Sequence, residues 1–149
     1  MAGQQGRRAL TPRRHGLDER IRDAEWAAYR ERGLNPRERI LRLHDGRQRL
    51  DVRITEFGEP SAAPPVVLLH GIASPTVLFA SLVPHLGGRH VVAVDWPGHG
   101  LSGPVRVDLE PGIREHTVGV VRSVLDCLRA DRADIVGHSL GAQFGVYSA

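Results

Sequence analysis

The chain has 149 residues, a formal net charge of +3 and a hydrophobic fraction of 41%, as expected for one soluble globular domain. All 20 basic residues are arginine, and the acidic residues among them cancel part of their charge. The single cysteine, Cys127, excludes an internal disulfide, and its helical surroundings predict a buried position. We find neither a secretory leader nor an apolar run near the ~20 residues of a membrane span, so we expect a cytoplasmic protein without a membrane partner.

The N-terminal part of the chain divides into two segments. Residues 1–16 combine arginines with glycines, and we expect a flexible basic leader rather than an arm that binds nucleic acid. Residues 17–37 read as a helical extension, because apolar residues recur at spacings of three and four and predict a helix over Asp18–Arg32. Trp26 and Tyr29 lie beside its apolar stripe, and we expect them to dock the helix on the rest of the protein.

Residues 38–149 predict an α/β domain. The runs Arg39–His44 and Gln48–Phe57 flank an Asp-Gly pair, which predicts a hairpin. The alternation in its second strand turns Asp51, Arg53 and Thr55 to solvent. Apolar runs and helical stretches then alternate, with strands predicted at Val66–Leu69, Val91–Val94 and Ile135–Val136 and helices over Thr76–Leu86 and Gly112–Ala130. The short runs lack alternation, which indicates parallel strands covered on both faces and joined by right-handed crossovers.

The strongest chemical motif is Gly137-His138-Ser139-Leu140-Gly141, which follows an apolar strand and precedes a helix. A serine on a sharp turn between strand and helix is typical of a nucleophile elbow, where the hydroxyl projects from the carboxyl end of the sheet. The two glycines let strand and helix approach closely, and the free amides of the helix N-terminus stabilise negative charge. The motif therefore predicts Ser139 as a nucleophile.

Two further motifs follow predicted strands. His70-Gly71-Ile72 comes after the first apolar run, where a backbone amide can be aimed at a developing oxyanion. The segment Asp95–Ser102 follows the next run and includes part of the Gly-x-Gly-x-x-Gly dinucleotide pattern, but Pro104 prevents the helix that would hold a pyrophosphate. A P-loop is excluded because the chain has no lysine. We therefore predict no cofactor and no metal site.

Together, these three motifs in this order resemble the alpha/beta-hydrolase family over roughly Glu38–Ala149. The resemblance implies the N-terminal half of that fold, an antiparallel hairpin leading into a mostly parallel sheet with helices on both faces. It implies Ser139 as the nucleophile and the backbone amides of Ile72 and Leu140 as the oxyanion hole. The residues implied to shape the pocket are His70, Gly71, Asp95, Gly98, Gly100 and His138.

The resemblance also implies the chemistry. Family members that open epoxides carry aspartate at the elbow, whereas Ser139 implies attack on the carbonyl of a small carboxylic ester or related acyl compound, through an acyl-enzyme that water hydrolyses. An acyltransferase shares the same elbow and stays open as an alternative.

The family's catalytic acid and histidine come after the nucleophile, and Leu140–Ala149 contain no Asp, Glu or His. We therefore expect this chain to be a partial hydrolase domain, truncated after the elbow. A non-catalytic remnant, or a module that folds only with a partner, is the alternative. The sequence indicates neither the substrate nor the oligomeric state.

Overall fold

A mixed sheet with helices on both faces carries the three motifs. The computed structural model describes residues 12–44, 48–106 and 112–149. In chain order the elements are α1 (Pro12–Arg30), β1 (Arg37–His44), β2 (Arg49–Phe57), β3 (Val66–Leu69), β4 (Val91–Val94), α2 (Ile113–Leu128), β5 (Asp134–Gly137) and α3 (Leu140–Ser148). Two short 3-10 helices, Thr76–Ser81 and Val83–His85, lie between β3 and β4.

The strands lie in the order β1-β2-β4-β3-β5. The hairpin strands β1 and β2 are antiparallel, β2 continues antiparallel onto β4, and β4, β3 and β5 are parallel. The predicted hairpin and the parallel strands are therefore confirmed, although the Asp45-Gly46 turn lies outside the described residues. Leu69 pairs with both Val94 and Gly137, so the carboxyl ends of the three parallel strands lie level and the motifs that follow them meet at one edge.

Each face of the parallel strands has its own apolar layer, because side chains alternate across a strand. Val67 and Leu69 pack with α2 and α3, whereas Val66 and Leu68 pack with α1 and the 3-10 helices. Both faces of β3 and β4 are buried, as the unbroken apolar runs predict. The same prediction is wrong for β5, which lies at the end of the strand order and is only partly buried. Cys127, which we expected to be buried, is exposed on α2.

Helix α1 begins at Pro12, earlier than the predicted start at Asp18, so residues 12–16 are helical rather than part of a leader. Residues 1–11 lie outside the described residues. Tyr29 is 1% exposed and packs edge-on against Phe57, with 5.3 Å between the ring centroids, so α1 docks through the residue that the pattern indicated. Among the described helices, none is long and apolar enough to cross a bilayer.

The segment predicted as one α-helix over Thr76–Leu86 forms the two 3-10 helices instead. Pro84 explains the difference, because proline has no amide hydrogen to donate to the preceding turn and its ring clashes with that turn's carbonyl. The tighter 3-10 turns end at Ser81 and His85, and Phe79 and Val83 still reach the core.

The prediction that β2 has a solvent-facing side is confirmed at Asp51, which is exposed, but is wrong at Arg53 and Thr55. Arg53 and Thr55 are 0% exposed, because α1 packs over the face on which they lie. Arg53 forms ion pairs with Glu25 of α1, Glu38 of β1 and Asp95 after β4, at 2.6, 3.0 and 3.0 Å respectively. The alternating pattern suggested that water would surround this guanidinium. Carboxylates surround it instead, in a buried position.

Glu25 is the least well satisfied member of this charged cluster. It is 4% exposed, its Oε1 has no hydrogen-bond partner among the described residues, and its Oε2 lies close to Arg53 without an aligned hydrogen bond. Burial is the main cause that raises the pKa of Glu25 above its ordinary value, and the charge of Arg53 opposes the shift. Glu38 and Asp95 face the same guanidinium and raise the pKa further.

We predict that Glu25→Gln changes how stability depends on pH. A carboxyl whose pKa is raised in the folded state binds more protons there than in the unfolded chain, so its contribution to stability is lost as pH rises above 4.5 through the folded pKa. The free energy of unfolding is measured for both proteins by urea titration from acid to neutral pH. As pH rises, the glutamine variant should become more stable relative to the parent protein. Parallel curves for the two proteins would contradict the prediction.

Candidate active site

Ser139 lies on a strained turn between β5 and α3. Its backbone has φ 54° and ψ −121°, a conformation that is costly for a residue with a side chain. The turn is held by the Gly141 amide, which donates to the His138 carbonyl, and by the Ala142 amide, which donates to the Ser139 carbonyl. Ser139 is exposed at the carboxyl end of the sheet. The strand, turn and helix therefore have the form that the motif predicts.

The glycines on either side of Ser139 are required by close packing. A Cβ on Gly141 would overlap the carbonyl groups of Leu69 and His70, and a Cβ on Gly137 would overlap the backbone of Ala142. Neither glycine has positive φ, so the reason is space rather than backbone conformation. The first turn of α3 thus lies directly on the end of β3.

The β3 loop (His70–Ile72) is fixed by a buried histidine. His70 is 0% exposed, its Nδ1 lies 2.7 Å from the Gly71 carbonyl, and its Nε2 lies 3.1 Å from the Trp96 amide nitrogen. The Trp96 amide can only donate, so Nε2 accepts and Nδ1 carries the proton. Burial is the main cause that lowers the pKa of His70, which favours this neutral form.

The β3 loop lies against the elbow. A Cβ on Gly71 would be 3.0 Å from the Ser139 Cβ and 3.2 Å from the His138 carbonyl oxygen, so a side chain there would require the loop or the elbow to shift by a few tenths of an ångström. Among the described residues, the amides of Ile72 and Leu140 donate to no carbonyl or side chain. An oxyanion hole needs amides that are not already donating a hydrogen bond. The role of Ile72 and Leu140 as oxyanion-hole donors stays a prediction.

Asp95 does not face the site. It is 0% exposed, and its Oδ2 accepts hydrogen bonds from Arg53 Nη1 and from the Leu101 amide, each at 3.0 Å. Gly100, at φ 53°, lies so close that a Cβ there would overlap the Asp95 carboxylate. Gly98 has φ 79° and donates its amide to the Gly103 carbonyl. These residues set the course of the β4 loop (Asp95–Ser102).

An apolar cleft of about 150 Å³ opens beside Ser139, between the two loops and helices α2 and α3. Its walls are formed by Gly71, Ile72, Trp96, Pro97, His99, Ile113, His116, Thr117, Leu140 and Phe144. Of the residues predicted for the site, Gly71, Ile72 and Leu140 line the cleft. The others do not: Ser139, His70, Asp95, Gly98, Gly100 and His138. Ser139 adjoins the cleft through its neighbour Leu140, whereas His70, Asp95, Gly98 and Gly100 support the loops from behind.

The resemblance implies that the segment Asp95–Ser102 shapes the pocket, but sequence reasoning did not single out Trp96 and Pro97 within it or the cleft residues Ile113, His116, Thr117 and Phe144. Trp96 and Pro97 directly follow β4, so their position at a strand end was a usable signal. Ile113 and Phe144 lie on helices, where an apolar residue of the cleft looks the same as one of the core. No group of three or more histidine, cysteine, aspartate or glutamate residues in the described part of the chain is arranged to hold a metal ion.

Comparison with known proteins shows the family to which this fold belongs. A family model described as alpha/beta hydrolase fold matches residues 64–149. The chain is 41% identical over 92 residues to a serine hydrolase-like protein of Danio rerio and 42% identical over 81 residues to epoxide hydrolase B of Mycobacterium tuberculosis. These matches cover 60% and 53% of the chain but only 28% and 22% of the two relatives, so the chain corresponds to about a quarter of their length.

The crystal structure of a naproxen esterase from Bacillus subtilis superposes with a TM-score of 0.74 and covers 94% of this chain and 46% of that one. The sequences are 20% identical, so this likeness concerns the fold alone. The superposition nevertheless extends beyond residues 64–149, the part that the family model matches.

We predict that Gly141→Ala destabilises the protein by about 3 kcal/mol, because the new methyl group has to displace the end of β3. Gly16→Ala is the matched control, since Gly16 lies in α1 with open space around its Cβ position. Alanine is the better helix former, so this variant should gain up to about 1 kcal/mol. Urea unfolding measures both changes, and equal midpoints for Gly141→Ala and the parent chain would contradict the close contact.

Proposed function

Because the chain belongs to the alpha/beta hydrolase fold family, we propose that it supplies the nucleophile and the oxyanion hole of a serine hydrolase for carboxylic esters or related small acyl compounds. Ser139 Oγ attacks the carbonyl carbon, and the carbonyl oxygen becomes negatively charged as the tetrahedral intermediate forms. The amides of Ile72 and Leu140 donate to that oxygen. The alcohol then leaves with a proton, and water hydrolyses the acyl-enzyme and releases the acid.

The observation that carries this proposal is the strained turn at Ser139. A positive φ at a serine costs free energy and persists only where the surrounding structure enforces it. Here the strain exposes the hydroxyl at the sheet edge, next to two amides without acceptors among the described residues. A serine that served only to start a helix would not need this conformation, because serine caps a helix well with ordinary extended backbone.

The general base in this proposal is a histidine downstream of Ser139 in a longer protein, as in the family's usual order. His70 is unsuited to the role, because it is fully buried and both of its ring nitrogens are engaged with backbone groups. Leu140–Ala149 contain no histidine and no acidic residue. His99 and His116 line the cleft, but the family's order places the base and its acid after the nucleophile, so this proposal assigns neither role to a residue of this chain.

The cleft supports an apolar acyl group as the part of the substrate that is held beside Ser139. Ile72, Trp96 and Phe144 offer hydrocarbon and aromatic surface there, and among the described wall residues the only titratable side chains are His99 and His116. Epoxide ring opening, the activity named for one relative, is disfavoured because family members that open epoxides carry aspartate at the elbow and this chain has serine. An acyltransferase would use the same residues and differ only in the acceptor that takes the acyl group.

We predict that the protein, as its gene encodes it, hydrolyses p-nitrophenyl esters and is labelled by a fluorophosphonate probe at Ser139. Ser139→Ala removes the nucleophile and should abolish labelling and reduce hydrolysis by a factor on the order of 10⁶. Ser81→Ala is the control, because Ser81 is an exposed serine in the 3-10 segment and bonds only Arg32 in the described structure. Release of p-nitrophenol and peptide mapping by mass spectrometry provide the measurements.

Labelling at a residue other than Ser139, or ester hydrolysis that survives in Ser139→Ala, would overturn the proposal. Absence of both labelling and hydrolysis in the unmodified protein would instead favour the non-catalytic alternative. Transfer of the acyl group to an added alcohol or amine in preference to water would identify an acyltransferase.

A further inference from the structure

We propose that Arg53 is a positioning residue for the Ser139 site, and that helix α1 belongs to the frame of that site through Glu25. The inference rests on the function proposed above, because it concerns the same serine. The buried contacts Glu25–Arg53–Asp95 hold the β4 loop, and the β4 loop holds the β3 loop against Ser139.

Arg53 forms an ion pair with one carboxylate from each of three separate parts of the fold. Its Nη2 lies 2.6 Å from Glu25 of α1, its Nε lies 3.0 Å from Glu38 of β1, and its Nη1 lies 3.0 Å from Asp95. Arg22 of α1 adds a second positive charge at 3.1 Å from Glu38. Only a planar guanidinium, with donors pointing in several directions, can reach three carboxylates at once from a fully buried position.

Both ends of the β4 loop are attached to Arg53. At the first end, the Asp95 amide donates to the Arg53 carbonyl, and the Asp95 carboxylate accepts from the guanidinium. At the other end, the Arg53 amide donates to Ser102 Oγ, which in turn donates to the Asp95 carbonyl. The Leu101 amide closes the loop on the same carboxylate oxygen that the guanidinium contacts.

The β4 loop in turn holds the β3 loop through Trp96. The Trp96 amide donates to His70 Nε2 at 3.1 Å, and the Trp96 indole donates to the His70 carbonyl at 3.0 Å. His70 Nδ1 donates to the Gly71 carbonyl, and Gly71 lies against Ser139. A continuous series of direct contacts therefore leads from the α1 carboxylate to the residue that precedes the Ile72 amide.

The energetics favour a positioning role over a purely structural one. Burying the three charged groups of Arg53, Glu25 and Asp95 costs several kcal/mol per ion before their attraction is counted, and apolar residues of similar volume often stabilise a core at least as well. What apolar residues cannot do is fix the direction of the Asp95 carboxylate and hence the course of the loop. Movement of catalytic groups by about 1 Å can reduce a rate by about a hundredfold, so such directional control has a functional consequence.

The test uses Arg53→Lys in the protein as its gene encodes it. Lysine keeps the charge but cannot bridge Glu25, Glu38 and Asp95 together. We expect kcat for ester hydrolysis to fall by about tenfold to a hundredfold with KM changed by less than about threefold, because the transition-state oxygen loses aligned donors while the cleft wall remains. Arg37→Lys is the matched control, since Arg37 pairs with Glu59 on the surface, and it should keep kcat within about twofold.

Glu25→Gln provides a second variant if Arg53→Lys fails to fold, with Asp23→Asn on the exposed face of α1 as its control. We expect a smaller loss of kcat, about threefold to tenfold, because the glutamine amide keeps the shape but not the charge that Arg53 faces. Circular dichroism at the assay temperature verifies that both proteins are folded. Unchanged kcat in the folded Glu25→Gln and Arg53→Lys variants would overturn the inference.

A readout that does not depend on activity separates this inference from the proposed function. The ¹⁵N shifts of the His70 ring report whether Nδ1 carries the proton and Nε2 accepts, and they should change in Arg53→Lys but not in Arg37→Lys. If the unmodified protein hydrolyses no ester, the proposed function fails, and the shifts alone decide whether Arg53 controls the loop. Identical His70 shifts in Arg53→Lys and the parent protein would contradict the coupling.

Discussion

The contact between the first turn of α3 and the end of β3 is the constraint on which the site depends. It exists because Gly137 and Gly141 lack side chains, so the backbones of strand and helix can touch. This contact forces Ser139 into a positive-φ turn and places it beside Gly71, whose own missing side chain admits the β3 loop. Three glycines thus bring the nucleophile and the amides of Ile72 and Leu140 to one edge of the sheet.

The buried ion pairs of Arg53 connect the loops at the Ser139 edge of the sheet to helix α1. The face of β2 that carries Arg53 is covered by α1, and the cost of burying the guanidinium is offset by carboxylates from α1, β1 and the β4 loop. The unfavourable member is Glu25, whose pKa burial raises. A cluster of this kind fixes the orientation of the Asp95 carboxylate as well as its position. It thereby couples α1 to the loops around Ser139.

Sequence reasoning predicted the parallel strands and the motifs at their ends, because short unbroken apolar runs are typical of strands buried on both faces and the motifs need positions at strand ends. It failed at β2, where alternating Arg53 and Thr55 look like a solvent face. The partner Glu25 is distant in sequence, and no local pattern indicates that a helix will cover the strand. The break at Pro84 was readable from the residue itself. The cleft residues Ile113 and Phe144 were not, since a helix shows the same apolar spacing whether it faces a core or a cleft.

The most direct test of the proposed site is a crystal structure of the protein after reaction with a phosphonate ester. We expect a covalent bond from phosphorus to Ser139 Oγ, with the phosphonyl oxygen at about 2.7–3.1 Å from the amide nitrogens of Ile72 and Leu140. We also expect the phosphonate's alkyl group to lie in the cleft between Trp96 and Phe144. An adduct on another residue, or a phosphonyl oxygen that points to solvent away from both amides, would contradict the proposed site.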